Sequence, residues 1–148
     1  MRFVREDDVT STPPASGQFS EGVWRTVILD PAQDDGLRAH RFSYPPGARS
    51  AWHTHEGEQA ILVVSGQGIV VRWGESVGTP IGPGDWVHVE PGEKHWHGSV
   101  PENTLIHIAV TASGGTDWEE AVSDQEYRVA TSVLTSGNAV PSDPLENP

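Results

Sequence analysis

Turn residues interrupt this chain so often that long helices have little room to form. Sixteen glycines and twelve prolines punctuate a series of short β-rich runs, with Gly or Pro at nearly every junction. The runs are GVWRTVIL (22–29), ending at Asp30-Pro31, LRAHRFSY (37–44), stopped by Pro45-Pro46-Gly47, and AWHTH (51–55). QAILVVSG (59–66), GIVVRWG (68–74), DWVHVE (85–90), HWHGSV (95–100) and TLIHIAVTA (104–112) complete the set. A helical period appears only in DWEEAVSDQEYRVA (117–130), where Asp117 and Ser123 are candidate N-caps before acidic first turns. The pattern predicts an all-β jelly-roll barrel of about eight antiparallel strands with a short C-terminal helical segment.

A chain of 148 residues fits one domain with a sound core. Its 35% apolar content is low, which points to tails outside that core. Residues 1–18 are polar and read as an N-terminal arm that orders against a partner or subunit. The barrel domain with its helical segment is expected over 19–135, and 136–148 reads as a flexible tail. The formal net charge of −12 argues against nucleic-acid and anionic-membrane roles. The absence of cysteine excludes disulfides, thiolate ligands and a Cys nucleophile. No window resembles a signal peptide or a membrane span, so a cytoplasmic protein acting on a small molecule is the expectation.

Seven histidines occur, at 40, 53, 55, 88, 95, 97 and 107. Two His-x-His pairs, His53/His55 and His95/His97, lie on predicted strands, where residues i and i+2 share a face. Each pair therefore converges, and Gln59 has the parity to turn inward with the first. One such pair fits exposed strand-edge histidines as well as it fits a site. Two pairs, each bounded by turn glycines, point to a metal, because neutral imidazole binds Zn, Mn, Fe, Ni and Cu. His107 shares parity with Leu105, Ala109 and Thr111, and borders the interior if that face lines the barrel. His40 shares a face with Phe42 and Tyr44, and either reaches the same interior or packs among the aromatics. His88 has the opposite parity to Val87 and Val89 and stays outside the site.

PGARSAWHTHEGEQAILVVSGQG (46–68) and GPGDWVHVEPGEKHWHG (82–98) resemble the two sequence motifs of the cupin superfamily. Gly47, His53, His55 and Gly66 match the first, with Gln59 in the carboxylate position. Gly84, Gly92 and His95 match the second in spacing, while Glu90 stands where a Pro is expected. Over roughly residues 22 to 127 the chain is similar to small manganese-dependent bacterial cupins with (R)-mandelonitrile lyase-like, hydroxynitrile lyase activity. That resemblance implies His53, His55, Gln59 and His95 as ligands of one divalent metal per subunit. Mn(II) is the ion it favours, with Fe, Ni, Zn and Co compatible. A site without Gln59, built from three histidines, stays open. The resemblance places His97, Lys94 and His107 beside the ligands, and implies a homodimer or homotetramer.

Glutamine in place of glutamate leaves the ligand set uncharged. The metal then keeps its full positive charge, which favours Lewis-acid chemistry over oxygen activation. The expected reaction is cleavage or formation of a cyanohydrin from an aldehyde and hydrogen cyanide. His97 is the candidate base, or else a residue orienting a ligand. His107 and Lys94 complete the candidate catalytic set, Lys94 as positive charge for cyanide unless it is simply solvated. His40, Phe42 and Thr111 are expected to line the substrate pocket. A metal-dependent oxygenase that cleaves C–C bonds with dioxygen, and a non-catalytic binding module, are the competing readings.

Overall fold

Alternating burial along each strand is what builds this molecule. In the stretch Leu105–Thr111 every second residue is buried, so Leu105, His107, Ala109 and Thr111 share one inward face. The computed structural model describes residues 1–30 and 36–135; the tail expected at 136–148 lies outside the described residues. The strands are β1 (Ser11–Thr12), β2 (Trp24–Leu29), β3 (Arg38–Tyr44), β4 (His53–His55), β5 (Gln59–Gly66) and β6 (Gly68–Arg72). They continue with β7 (Thr79–Ile81), β8 (Trp86–Val89), β9 (His95–Ser99), β10 (Leu105–Thr111) and β11 (Thr116–Trp118), followed by helix α1 (Asp124–Thr135).

These strands form two antiparallel sheets, ordered β1-β2-β3-β10-β5-β8 and β11-β4-β9-β6-β7. This is the expected barrel of two facing sheets. Each of the eight strands anticipated from the sequence is present. The three it did not anticipate, β1, β7 and β11, are two or three residues long, too short to carry a readable period. Phe42, Tyr44, Ile61, Val63, Leu105 and Ala109 belong to the main apolar core. A second cluster joins Trp52, Ile69, Val71 and Trp96 to Val122, Tyr127 and Ala130 of the C-terminal segment. α1 thus covers the outer face of the five-stranded sheet.

The β5–β6 turn shows why one motif glycine is required. Gly66 has φ +82°, and a Cβ there would run into the Thr104 carbonyl. Both the backbone region and the lack of space select glycine.

One expectation is corrected. Asp117 is no N-cap: it pairs with Thr54 inside β11, because that short strand completes the edge beside β4. The helix begins instead after Ser123, whose Oγ accepts from the Glu126 amide (3.2 Å) while Glu126 Oε2 accepts from the Ser123 amide (2.7 Å). This reciprocal capping box fixes the start. The arm at 1–18 lies on its own barrel. β1 pairs with β2, Ser11 Oγ is 2.6 Å from Thr26 Oγ1, and the Glu6 carboxylate accepts two bonds from Arg41.

Candidate metal centre

β4 and β9 lie side by side with His53 opposite His95. Cross-strand partners share a face, so this register brings both His-x-His pairs together. His53, His55, His95 and His97 are all buried. The His53 ring is 4.3 Å from His95, 5.0 Å from His55 and 5.3 Å from His97, between centroids. One ring nitrogen from each of His53, His95 and His97 lies within 4.8 Å of the others. Three buried histidines can therefore hold a metal ion together.

Hydrogen bonds fix how these rings present themselves. His53 Nδ1 donates to the Ala51 carbonyl (2.9 Å) and His95 Nδ1 to the Glu93 carbonyl (2.8 Å). A carbonyl can only accept, so each Nδ1 carries the proton and each Nε2 keeps its lone pair. His55 Nδ1 is held 2.9 Å from Thr116 Oγ1. His55 Nε2, His95 Nε2 and Gln59 Oε1 are buried with no hydrogen-bond partner. Three buried polar atoms without partners in one region are costly unless something completes them, and imidazole nitrogens with an amide oxygen are donors that fit a divalent metal. Burial holds His53 well below the usual histidine range, with His95 and His55 adding to the shift. Burial also lowers His55 to about 3, aided by His95 and Arg38. Both stay neutral, as ligands must.

The six-stranded sheet supplies the facing wall. Thr111 pairs with both Gln59 and Arg38 in register, and Gln59 Nε2 donates to Thr111 Oγ1 at 3.3 Å. His107 is fully buried beside Phe42, whose ring is 5.4 Å away. His97 and His107 are linked by one hydroxyl: Tyr44 Oη is 3.1 Å from His97 Nδ1 and 3.2 Å from His107 Nε2. His40 is half-buried on the same face, 6.0 Å from Phe42. Lys94 is elsewhere. Its ammonium is 2.8 Å from Glu119 and 2.7 Å from Glu120, and sits 3.6 Å above the Trp73 ring. As the residue before His95 it points to the opposite, outer face, which corrects the idea that it supplies charge to the site. His88 is exposed, as its parity implied.

A model of the cupin domain matches residues 40–110. Over 110 residues the chain is 43% identical to an (R)-mandelonitrile lyase of Granulicella tundricola, covering 70% of this chain and 83% of that one. This chain belongs to the cupin superfamily. A cupin-like protein of Thermotoga maritima superposes with TM-score 0.75 at 31% identity, covering 80% of this cupin and 91% of that chain. The polyketide cyclase RemF of Streptomyces resistomycificus shares the fold, with TM-score 0.67 at 22% identity over 86% of this chain and 91% of its own.

Several residues of this cupin's interior escaped the sequence reading. Tyr44 was readable, because it shares the parity of His40 and Phe42, but nothing in the sequence announced its bridging role. Thr116 falls outside every predicted element, and Trp118, whose ring is 4.7 Å from His53, falls inside the helical period expected over 117–130. Trp52 and Trp96 pack on the α1 side of the sheet, away from the histidines.

Proposed function

We propose that this cupin is a metal-dependent hydroxynitrile lyase, interconverting a cyanohydrin with an aldehyde and hydrogen cyanide. The observation that carries the reading is the cluster of inward imidazoles with orphaned Nε2 atoms, in a chain 43% identical to an (R)-mandelonitrile lyase. The orphaned atoms on His55, His95 and Gln59 support His53, His55, Gln59 and His95 as the ligand set. His97 belongs to the compact trio as well; in our reading its Nε2 acts as the base and not as a ligand. A divalent metal held there, Mn(II) in our reading, supplies Lewis acidity to an oxygen or nitrogen placed against it.

The protein's own part is proton handling and shielding. Tyr44 has one hydroxyl proton and two imidazole neighbours, so it donates to one and accepts from the other. When it accepts from His97 Nδ1–H, His97 Nε2 is free to take the hydroxyl proton of a cyanohydrin. As the C–C bond breaks, its electrons leave with cyanide and the carbinol becomes the aldehyde. The proton held on His97 then passes to cyanide, so no oxidant is needed. Phe42 and Trp118 supply apolar surface beside the imidazoles, which suits an aromatic aldehyde.

The test is anaerobic turnover of mandelonitrile, with elemental analysis of the same preparations. Wild type should contain near-stoichiometric divalent metal and release cyanide and benzaldehyde. His53→Ala and His95→Ala should lose both metal and activity, and His97→Ala should lose activity with its metal retained. Substrate-dependent oxygen uptake without cyanide release would instead establish the oxygenase reading.

A further inference from the structure

Nine basic residues stand against twenty-one acidic ones in this chain, so an arginine without a carboxylate partner is conspicuous when it is sheltered from water. Arg41, Arg49, Arg72 and Lys94 all have ion-pair partners. Arg25 and Arg38 have none among the described residues. Both are half-buried, and Arg25 Nε and Arg38 Nη2 are buried without a hydrogen-bond partner.

The register shows where they point. Arg25 is the cross-strand partner of Phe42, and Arg38 is the partner of Thr111, which in turn pairs with Gln59. All five residues therefore project from the inward face of the six-stranded sheet. His40 lies between the two arginines and is also half-buried, with Nε2 unpartnered. Its other strand partners on that face, Val27 and Ala109, are apolar. Arg38 is close enough to His55 to act on it electrostatically, and Arg25, Arg38 and the exposed Asp30 all act on His40. Arg38 thus stands beside the imidazole cluster and Arg25 beside His40, each with donors unspent, and the nearby carboxylate of Asp30 is not within ion-pair distance of either.

We propose that Arg25 and Arg38 form an anion subsite next to the histidines, and that the natural substrate carries an oxyanion group, carboxylate or phosphate, docked there. Guanidinium donors are matched in geometry and charge to such groups. Burial makes the unfilled donors expensive in the free protein and strengthens them when filled. The proposal rests on the histidine cluster being the reactive site. It adds that the reacting carbon belongs to a small organic acid or phosphate ester, while a neutral nitrile fills the same interior without using the arginines.

Calorimetric binding at pH 7.5 tests this with mandelate, benzyl phosphate and the neutral mandelamide, on full-length protein of measured metal content. Wild type should bind at least one of the two anions tenfold or more tighter than mandelamide, and the better anion identifies the group. Arg25→Gln and Arg38→Gln should each lower that ratio at least threefold at unchanged metal content, and Arg38→Lys should keep part of it. A ratio near one in wild type overturns the proposal. So does a ratio that survives in Arg25→Gln/Arg38→Gln, because the preference would then come from the metal. Should the double variant fail to fold, the single variants decide by the same threefold criterion. Cyanide release from neutral mandelonitrile is a separate readout, so the lyase reading and the anion subsite can fail independently.

Discussion

The Gln59 side-chain amide nitrogen donates to Thr111 Oγ1 across 3.3 Å, which leaves its carbonyl oxygen buried and unpartnered. The amide is thereby oriented as a neutral oxygen donor beside His55. Gln59→Glu keeps the shape and adds one negative charge. It should tighten divalent-metal binding about tenfold or more by chelator competition, since opposite charges attract strongly in a water-poor interior. The same charge should lower the metal's acidity and with it kcat for cyanide release. Equal affinity in both proteins would mean that position 59 is not a ligand.

Tyr44 is fully buried, and burial keeps its hydroxyl protonated by raising its pKa far above the usual range. Tyr44→Phe preserves the ring and deletes the oxygen between His97 and His107. Two buried ring nitrogens then lose their partner, at a cost of about 1–3 kcal/mol in denaturant stability. If proton transfer runs through His97, kcat should fall about 100-fold while KM and metal content stay near wild type. A loss of stability without a change in kcat would confine Tyr44 to a structural role.

Acid should unfold the metal-free protein early. Burial is the leading cause that lowers His53, His55, His95, His97 and His107, and it carries His55 and His107 to about 3. Unfolded histidine titrates near 6.5, so between the two values the unfolded chain binds more protons than the folded one. Stability is then complete above about pH 6.5 and falls as the pH drops toward the folded values, by up to about 1.4 kcal/mol per unit for each histidine. Urea midpoints of chelator-treated protein should decline steeply from pH 6.5 to pH 5, and His107→Gln should flatten the decline. A flat profile would show that these imidazoles are hydrated in the metal-free state.

The strands were legible because their cues are local. β-Branched runs bounded by Gly and Pro gave eight strands, and period-two parity put His53 with His55 and His95 with His97 on shared faces, with Gln59 and His107 at positions able to join them. What the sequence withheld depends on register between distant strands. Whether His53 faces His95 is decided by β4–β9 pairing, and the Tyr44 bridge needs β3, β9 and β10 set level. Lys94 shows the opposite failure, since sequence proximity to His95 suggested a shared site while strand alternation put it outside among Glu119, Glu120 and Trp73. The arginines went unread for a similar reason: each is ordinary in its own strand, and only the shared sheet face makes them a pair.

The helix that seals the outer sheet offers a last test, because its start is set by a single local motif. Ser123 and Glu126 satisfy each other's backbone amides, and Glu126 Oε1 also accepts from Trp52 Nε1 at 3.4 Å. Trp52 precedes the candidate ligand His53 and belongs to the apolar cluster that α1 covers. Ser123→Ala removes the cap and should cost about 1 kcal/mol, a fall in Tm of about 2–5 °C for a domain of this size. Because Tyr127 Oη still donates to the Ser99 carbonyl at 2.7 Å, the helix should remain docked. Metal content and cyanide release should therefore be unchanged in Ser123→Ala at 25 °C. Loss of metal in this variant would show that the position of α1 reaches His53 through Trp52, and that the outer face of the sheet is part of what holds the site in shape.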